Sequence, residues 1–299
     1  MSKIAIGIDL GGTRIKAVVI DASCRILNEL FQPTNDGEGS KWKEAVADAV
    51  SQLRLKLQNM DCSIGISAPG LPNENNTAIS FMPGRLGGLE NFNWSEYLKN
   101  KTWVLNDGVA ALMAEVKGGV AQHKRNVVML TLGTGVGGAI LIDGKPYQGS
   151  FQKAGYIGHI TVNSDGEPDV TGMPGSLEDA IGNCTIHKRS KGKFHSTHEL
   201  LEAYRNGDDY AKSIWLDSVR NLAAGMASIA NVLSPECIVI GGGITEAGKD
   251  LFDPLNNYMS KFEWRPGNHK TEIVKAYFGN MAGAIGAACF AMAKDGIQV

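Results

Sequence analysis

Two stretches of the chain share one pattern, IGIDLGGTRIKAVVID (6–21) and MLTLGTGVGGAILID (129–143). Each has an apolar run, a turn of glycine and threonine, a second apolar run and a closing aspartate. Short apolar runs bounded by turn residues are typical of buried β-strands. The repetition therefore predicts a duplicated α/β protein in which each of two domains contains one strand-turn-strand unit.

The segments between these stretches read as further strands and helices. Apolar residues recur at helical spacing in SKWKEAVADAVSQLRLKLQNM (40–60), for which Ser40 is the expected N-cap. The pattern restarts at Gly118–Gly119. We therefore expect an N-terminal α/β domain at 1–118, joined by a returning C-terminal helix at about 281–299, and a C-terminal α/β domain at 119–280. The amphipathic stretch 208–233 is either a core helix or a subunit interface.

Composition narrows the class of protein. The chain has 299 residues with a net charge of -2, and its only basic cluster, HKRSKGKFH (187–195), reads as a solvated loop. Its apolar runs are far shorter than the roughly 20 residues of a membrane span, and strand-like residues follow Met1 where a leader would lie. The five cysteines are scattered, without any CxxC pair. We expect a reduced, cytoplasmic protein that binds neither nucleic acid nor membrane.

Three glycine turns follow apolar strands: DLGGTRIK (9–16), LGTGVGGA (132–139) and IGGGIT (240–245). Glycine lets a backbone approach phosphate closely, and its N–H group can point at the anion. The GxGxxG of the second turn is followed by a strand where a Rossmann motif requires a helix, and no GxxxxGK[ST] run occurs. Both of these common nucleotide motifs are excluded, while a phosphate-binding role for the three turns remains.

The order and spacing of the turns resemble the phosphate and adenosine elements of the actin–hexokinase–Hsp70 superfamily. With SAPGLP (67–72), LNDGVAA (105–111), AGYIGH (154–159) and a GxxGxxE run, the chain resembles the ROK family of bacterial sugar kinases and sugar-responsive repressors from about Ile4 to Ala291. The resemblance implies an α/β fold of two ribonuclease H-like (actin-type ATPase) domains flanking a central cleft.

The resemblance also assigns roles. Asp107 matches the catalytic base, which accepts the proton of the attacking hydroxyl; the alternative is that Asn106 and Asp107 simply cap a helix. Asp9 matches the carboxylate that organises Mg²⁺ through water. The remaining expected cofactor-binding residues are Gly11, Gly12, Thr13, Lys16, Gly133, Thr134, Gly135, Gly241, Gly242 and Gly243. The expected substrate-binding residues are Asn106, Gly70, Tyr156, His159 and Glu178.

One loop departs from the family pattern. In the family, a histidine is followed after nine to eleven residues by CxCGxxGCxE, and the histidine and three cysteines bind structural zinc. Here His159 is followed after nine residues by DVTGMPGSLE (169–178), so that Asp169, Thr171 and Ser176 replace the cysteines. One histidine, a carboxylate and two hydroxyls are a poor zinc site. We predict no zinc, and we expect Asp169 to accept a hydrogen bond from His159 and to orient its ring.

A second departure concerns the sugar. The family segment is usually AGExGH, whose glutamate contacts hydroxyls near C1 and C2, whereas this chain has Tyr156 at that position. A phenol offers one donor and a flat face. Either the sugar carries a larger group there, such as a glycoside or an N-acyl substituent, or sugar binding has decayed. RLGGLENF (85–92) loosely resembles a segment of bacterial N-acetylmannosamine kinases.

The expected function is that of an ATP- and Mg²⁺-dependent kinase acting on the 6-hydroxyl of a hexose or N-acylhexosamine. The alternatives are a sugar-sensing regulator of the same family and a pseudo-kinase that binds sugar without turnover. Repressors of the family carry an N-terminal helix-turn-helix, and only three residues precede the first expected strand here. Family members are commonly homo-oligomers, and we expect a dimer.

Overall fold

The computed structural model describes residues 4–297, so the last two residues of the predicted returning segment at 281–299 lie outside the described residues. The chain divides into two compact units. The first contains Met1–His123, Gln148–Lys153 and Ala276–Val299, and the second contains Lys124–Tyr147 and Ala154–Lys275. None of the helices within the described range combines the length and apolar character that crossing a bilayer requires.

The strands are short and mostly buried. In chain order they are β1 (Ile4–Leu10), β2 (Arg14–Asp21), β3 (Ile26–Pro33), β4 (Ser63–Ala68), β5 (Leu71–Pro72), β6 (Ile79–Phe81), β7 (Thr102–Asn106), β8 (Val127–Leu132), β9 (Val136–Ile142), β10 (Lys145–Tyr147), β11 (Cys237–Gly241) and β12 (Glu272–Lys275).

The helices range from a single turn to 25 residues. In chain order they are α1 (Lys41–Lys56), α2 (Trp94–Tyr97), α3 (Asp107–Gly118), α4 (Leu177–Ile181), α5 (Ile186–Arg189), α6 (Thr197–Arg205), α7 (Asp209–Leu233), α8 (Lys249–Phe262) and α9 (Ala282–Lys294). Short 3₁₀ turns occupy Ile157–His159, Asn183–Thr185, Gly243–Ala247, Pro266–Asn268 and Gly279–Met281.

The first unit is built on a five-stranded sheet in the order β3-β2-β1-β4-β7. Strands β1, β2 and β3 are antiparallel neighbours, whereas β4 and β7 add in parallel to β1. Because β4 and β7 run in the same direction as β1, the carboxyl ends of these three strands meet at one edge of the sheet. That edge holds Asp9, Ser67 and Asn106.

The second unit repeats the same topology. Its sheet has the order β10-β9-β8-β11-β12, with an antiparallel β8–β9–β10 meander and β11 and β12 added in parallel. The predicted internal repeat is therefore confirmed: 6–21 forms β1 and β2, and 129–143 forms β8 and β9. Each repeat provides the central hairpin of its sheet, and a glycine turn joins its two strands.

Helix α9 closes the first unit by packing against β1, β4 and α3. Its small residues permit this, because a Cβ atom at Gly286 would overlap the carbonyl oxygen of Ala110 in α3. On the facing strand, a Cβ atom at Gly65 would likewise overlap the carbonyl oxygen of Ala287. These two contacts show that α9, which is rich in alanine and glycine, packs closely against its neighbours.

Two predictions made from the sequence have different outcomes here. Ser40 does precede α1, but its side chain makes no capping hydrogen bond, because its backbone (φ -94°, ψ 8°) lacks the extended conformation that aims an N-cap side chain at the helix. The stretch 208–233 forms the single helix α7 with Asp208 as its cap, and ten of its residues are buried. This supports the core interpretation for one face of α7 and leaves the interface prediction open for the other.

Candidate active site

The junction of β7 and α3 holds the predicted catalytic pair. Asn106 caps α3, since its Oδ1 accepts a hydrogen bond from Gly108 N at 2.8 Å, and its Nδ2 donates to the Gly70 carbonyl oxygen at 3.1 Å. Asp107 is the first residue of α3, and its Oδ1 also accepts from Gly108 N at 2.8 Å. The capping alternative is therefore correct for Asn106. It does not exclude a chemical role for Asp107.

The pKa of Asp107 is displaced toward neutrality. Desolvation by the surrounding protein is the main cause that raises the pKa of this carboxyl to about 6, and the negative charge of Asp9 acts in the same direction. Hydrogen bonds from Gly108 and Asn106 oppose the shift. A carboxyl with a pKa near 6 is a better proton acceptor than an ordinary aspartate and is still mostly ionised at neutral pH.

Asp9 lies at the end of β1 and forms a small polar cluster. Its Oδ2 accepts from Lys16 Nζ at 3.1 Å, and its Oδ1 accepts from the buried Ser67 hydroxyl at 3.2 Å. Lys16 Nζ also donates to the Asn280 carbonyl oxygen at 2.7 Å, which fixes the ammonium. A carboxylate has about four lone-pair positions, so two donors leave Asp9 capacity for the water molecules of a hydrated cation.

The first glycine turn, residues 11–13, joins β1 to β2. Thr34, the residue after β3, holds this turn with two hydrogen bonds. Its hydroxyl donates to the Gly11 carbonyl oxygen at 2.6 Å, and its N–H donates to the Thr13 carbonyl oxygen at 3.1 Å. The guanidinium of Arg85 lies directly against Gly12. Hydrogen bonds to its carbonyl oxygens therefore hold the turn in place, and a positive charge lies beside it, which favours an anion.

In the second unit, two glycine turns border one cavity of about 330 Å³. Gly242 has φ +89° and lies against the backbone of Leu132, a position at which only glycine fits. The turn of Gly133, Thr134 and Gly135 is held by N–H groups of Asn183 and Cys184, which donate to the carbonyl oxygens of Gly133 and Thr134 at 3.0 and 2.8 Å. The cavity, which we call the turn cavity, is lined by Gly133, Thr134, Asn183, Thr197, His198, Leu201, Arg205, Gly243, Ile244, Glu246 and Ala247.

His159 ends the 3₁₀ turn after β10 and contacts Asp169. The two atoms Nδ1 of His159 and Oδ2 of Asp169 are 3.2 Å apart, so the predicted hydrogen bond is confirmed. The Asp169 side chain is fully buried and that of His159 is 30% exposed. The ring of Tyr156 lies nearly parallel to that of His159, with centroids 6.5 Å apart and an interplanar angle of 17°. An aromatic face and an imidazole are thus presented side by side.

The residues at the four positions of the family zinc site do not suit zinc. Thr171 supplies a neutral hydroxyl, which donates to Asp169 Oδ1 at 2.7 Å, and Ser176 Oγ accepts from Asp179 N at 3.2 Å as the cap of α4. Structural zinc is held by thiolate and imidazole in closed tetrahedral sites. A single imidazole with hydroxyls already engaged in hydrogen bonds does not provide such a set.

Glu178 lies in α4 beside the second glycine turn. Its Oε2 accepts from Val136 N at 2.9 Å and lies against Gly135. Oε2 of Glu178 is therefore hydrogen-bonded to the turn, and the predicted contact with sugar hydroxyls would be made by Oε1. Within the second unit, Glu178 connects the expected sugar residues with an expected phosphate turn.

Several residues of these groups were missed at the level of sequence. Ser67 lies within the quoted SAPGLP motif, so its position was marked without its hydroxyl being assigned to Asp9. Thr34 and Arg85 reach the first turn from distant segments and carry no local signal. The same is true of Thr197, whose buried hydroxyl has no hydrogen-bond partner among residues 4–297, and of its neighbours in the turn cavity.

Comparison with known proteins establishes the family. The sequence model of the ROK family matches residues 5–294. The chain is 30% identical to a glucokinase of Streptomyces coelicolor over 99% of both chains, and 28% identical to an N-acetylmannosamine kinase of Escherichia coli over 97% of this chain and 98% of that protein. The chain belongs to the ROK family.

Solved structures agree with this assignment. The ROK hexokinase from Thermus thermophilus superposes with a TM-score of 0.88 at 27% identity, covering 98% of this chain and 99% of the other. A ROK family glucokinase from Streptomyces griseus, in complex with glucose and AMPPNP, superposes with a TM-score of 0.79 at 26% identity, covering 97% and 99%. The mixed α/β fold with two equivalent sheets is that of ROK kinases of the actin–hexokinase–Hsp70 type.

Proposed function

We propose that this chain is an ATP-dependent sugar kinase that transfers the γ-phosphoryl group to the 6-hydroxyl of a hexose or an N-acylhexosamine. The observation that carries the proposal is the carboxyl of Asp107 at the start of α3, which interacts with the charge of Asp9 and has its pKa raised to about 6. Glucokinase and N-acetylmannosamine kinase activities among the similar proteins support the substrate class.

Asp107 accepts the proton of the attacking hydroxyl. Phosphoryl transfer needs chiefly positioning and charge neutralisation, together with one base for the nucleophile. Asn106 restrains the base, because its side chain fixes the start of α3 and the Gly70 loop together. Gly70 therefore contributes to the site through its carbonyl oxygen, which orients Asn106.

Asp9 and Ser67 are the residues that would hold a hydrated Mg²⁺ in the first unit, with Lys16 as the neighbouring fixed charge. When bound, Mg²⁺ neutralises charge on the phosphate oxygens. The free lone pairs of Asp9 suit contact through water. Gly11, Gly12 and Thr13 offer backbone to a phosphate beside the Arg85 guanidinium.

In the second unit, the turn cavity fits a nucleoside. Leu201, Ile244 and Ala247 give it apolar walls, and Thr197 contributes a buried hydroxyl that is unpaired within the described part of the chain. Gly133 and Thr134 of one glycine turn and Gly243 of another line it. We assign the adenosine to this cavity and the phosphates to the turn at 133–135.

Sugar recognition is assigned to His159, Tyr156 and Glu178. Tyr156 offers an apolar face and one donor at the place where glutamate is usual in the family, which favours a sugar with a larger group at C1 or C2. We place N-acylhexosamines and glycosides alongside free hexoses as substrates on this ground. No zinc takes part.

A homodimer is the proposed assembly, in a reducing, cytoplasmic location that suits five free thiols. An apolar groove of about 480 Å³ runs between β9 and α7, with Val232 80% exposed at its edge. Exposed apolar grooves of this kind are typical of contact surfaces. Light scattering on the purified chain tests the assembly, and a monomer at micromolar concentration contradicts it.

The activity is tested by ADP release from Mg-ATP with a panel of hexoses, N-acetylhexosamines and β-linked disaccharides. We expect at least one sugar to give turnover well above the rate without sugar. Binding of a sugar without any ADP release by the wild-type protein would overturn the kinase proposal and favour a sensor.

A further inference from the structure

The four loop positions that hold zinc in the family are joined here by one carboxylate. Asp169 Oδ1 accepts from Thr171 N at 2.7 Å, from Thr171 Oγ1 at 2.7 Å and from Met173 N at 3.1 Å. Its Oδ2 lies 3.2 Å from His159 Nδ1, and the Ser176 hydroxyl is near enough to lower the pKa of this carboxyl. Two of the three other positions of the lost metal site, His159 and Thr171, therefore contact Asp169 directly, and the third, Ser176, lies beside it.

Asp169 is an acceptor in every one of these contacts. Backbone N–H groups can only donate, and burial of an ionised carboxylate is tolerated when several donors surround it. Burial raises the pKa of Asp169, but the hydrogen bonds from Thr171, Ser176 and Met173 outweigh it and hold the pKa well below its usual range. In the contact between the two side chains, His159 Nδ1–H is therefore the donor and the Asp169 carboxylate is the acceptor.

We propose that Asp169 replaces the family's metal as the centre of this loop and is a positioning residue that holds the neutral His159 in the tautomer with Nδ1 protonated. This assigns Nε2 as the hydrogen-bond acceptor that the ring offers to a sugar hydroxyl. The part that concerns sugar rests on the proposed function, whereas the tautomer and the absence of metal do not.

The variant Asp169→Asn separates these roles because it keeps the shape of the side chain. Its carbonyl oxygen still accepts from Thr171 N and Met173 N, so its amide NH₂ faces His159 Nδ1 and forces that nitrogen to accept. The tautomer then inverts, and Nε2 becomes a donor. Asp165→Asn is the matched control, since Asp165 is an exposed aspartate of the same loop.

The first measurement is ¹⁵N NMR of the histidine rings near pH 8, with His159→Gln used to assign the signal. We expect a protonated Nδ1 for His159 in the wild type and in Asp165→Asn, and a protonated Nε2 in Asp169→Asn. A wild-type ring protonated only at Nε2 overturns the proposal whether or not any sugar is phosphorylated.

The second measurement is steady-state kinetics on the best sugar. We expect Asp169→Asn to raise the sugar KM at least about tenfold, as a mispaired buried hydrogen bond does, and to change kcat less. A variant with wild-type KM and an inverted tautomer overturns the assignment of Nε2 to the sugar. If the wild type phosphorylates no sugar at all, the proposed function fails while the tautomer result still stands.

The third measurement is metal content. We expect less than about 0.1 zinc per chain after expression in zinc-supplemented medium, and an unfolding midpoint that dipicolinate leaves unchanged. The triple variant carrying Asp169→Cys, Thr171→Cys and Ser176→Cys is expected to recover one zinc per chain. A wild-type protein that retains stoichiometric zinc and loses stability with the chelator contradicts the replacement, even if the Asp169 variants fail to fold.

Discussion

At the scale of single residues, the pKa of Asp107 determines how the rate of phosphoryl transfer depends on pH. A base acts only when it is deprotonated. Because the pKa of Asp107 is about 6, we expect activity to be lost as the pH falls through about 6, a range in which the enzyme can be assayed. We expect kcat/KM to fall about tenfold per pH unit below pH 6 and to be level from pH 7 to 8. A pH profile with buffers of constant ionic strength measures this, and activity that stays level down to pH 5 contradicts it.

The same carboxyl destabilises the folded protein. Because its folded pKa is raised, the folded state holds a proton more tightly than the unfolded state does, and stability falls as pH rises from about 4 to about 6. Asp107→Asn removes that penalty. We expect the variant to raise the unfolding midpoint at pH 8 and to have a smaller effect at pH 5. Thermal unfolding at both pH values measures the difference, and a variant less stable at pH 8 contradicts it.

Some site residues could be predicted from the sequence and others could not, for a physical reason. Asp169 was predicted to bond His159 because the spacing of the loop placed it in a lost ligand position, and the contact at 3.2 Å confirms this. Thr34, Arg85 and Thr197 come from segments whose approach depends on tertiary packing. No local pattern encodes such an approach, and only the fold reveals it.

At the scale of elements, the contact of α9 with α3 gives a prediction with an unusual sign. Replacing glycine by alanine inside a helix ordinarily stabilises it by up to about 1 kcal/mol. A methyl group at Gly286 would meet the Ala110 carbonyl oxygen, which is backbone and cannot move aside. We expect Gly286→Ala to lower the free energy of unfolding by about 3 kcal/mol or to prevent folding.

The control for this variant lies in α7. The three atoms nearest to a methyl group at Gly225 would be side-chain ends, those of Ile160 and Val162 at 3.3 Å and of Leu177 at 3.4 Å. Gly225→Ala is therefore expected to be near neutral in chemical denaturation. Equal effects of the two variants would contradict the close packing of α9.

Most elements were predictable because their signals are local. The strands β1, β2, β4, β7, β8 and β9 are apolar runs between turn residues, and α1 and α3 begin where the apolar spacing changes. Ser40 occupies the predicted N-cap position of α1, but its side chain makes no capping hydrogen bond, because that bond requires one backbone conformation, which composition does not specify. The short helices α4, α5 and α6 lie in loop-like sequence and gain their order from burial of Leu177, Ile186 and Leu200.

At the scale of the whole molecule, nucleotide binding should be visible in stability. A ligand that binds only the folded state at 100 times its Kd adds about 2.7 kcal/mol to the free energy of unfolding. We expect Mg-ATP at that concentration to raise the unfolding midpoint by several degrees, with adenosine giving less because it lacks the phosphates. A thermal shift titration measures both, and no shift with any adenine nucleotide contradicts the assignment of the turn cavity.

The duplicated topology explains why the family could be predicted from sequence while the sugar could not. Two copies of one strand-turn-strand pattern determine both sheets, and three glycine turns mark their ends. Sugar choice depends on a few side chains such as Tyr156, whose one donor and aromatic face suit more than one group at C1 or C2. The fold and the reaction class can therefore be predicted from the repeated strand-turn-strand pattern and the glycine turns. The identity of the sugar must be measured, because it depends on a few side chains.

The most direct test of the central claim compares wild type and Asp107→Asn in a single-turnover assay with radiolabelled Mg-ATP and the best sugar, after titrating each substrate separately. We expect the variant to bind nucleotide and sugar within about threefold of wild type and to transfer the phosphoryl group at least about 10²-fold more slowly, as loss of a general base requires. Transfer by the variant at a rate close to that of the wild type would contradict the role of Asp107, and with it the proposed mechanism.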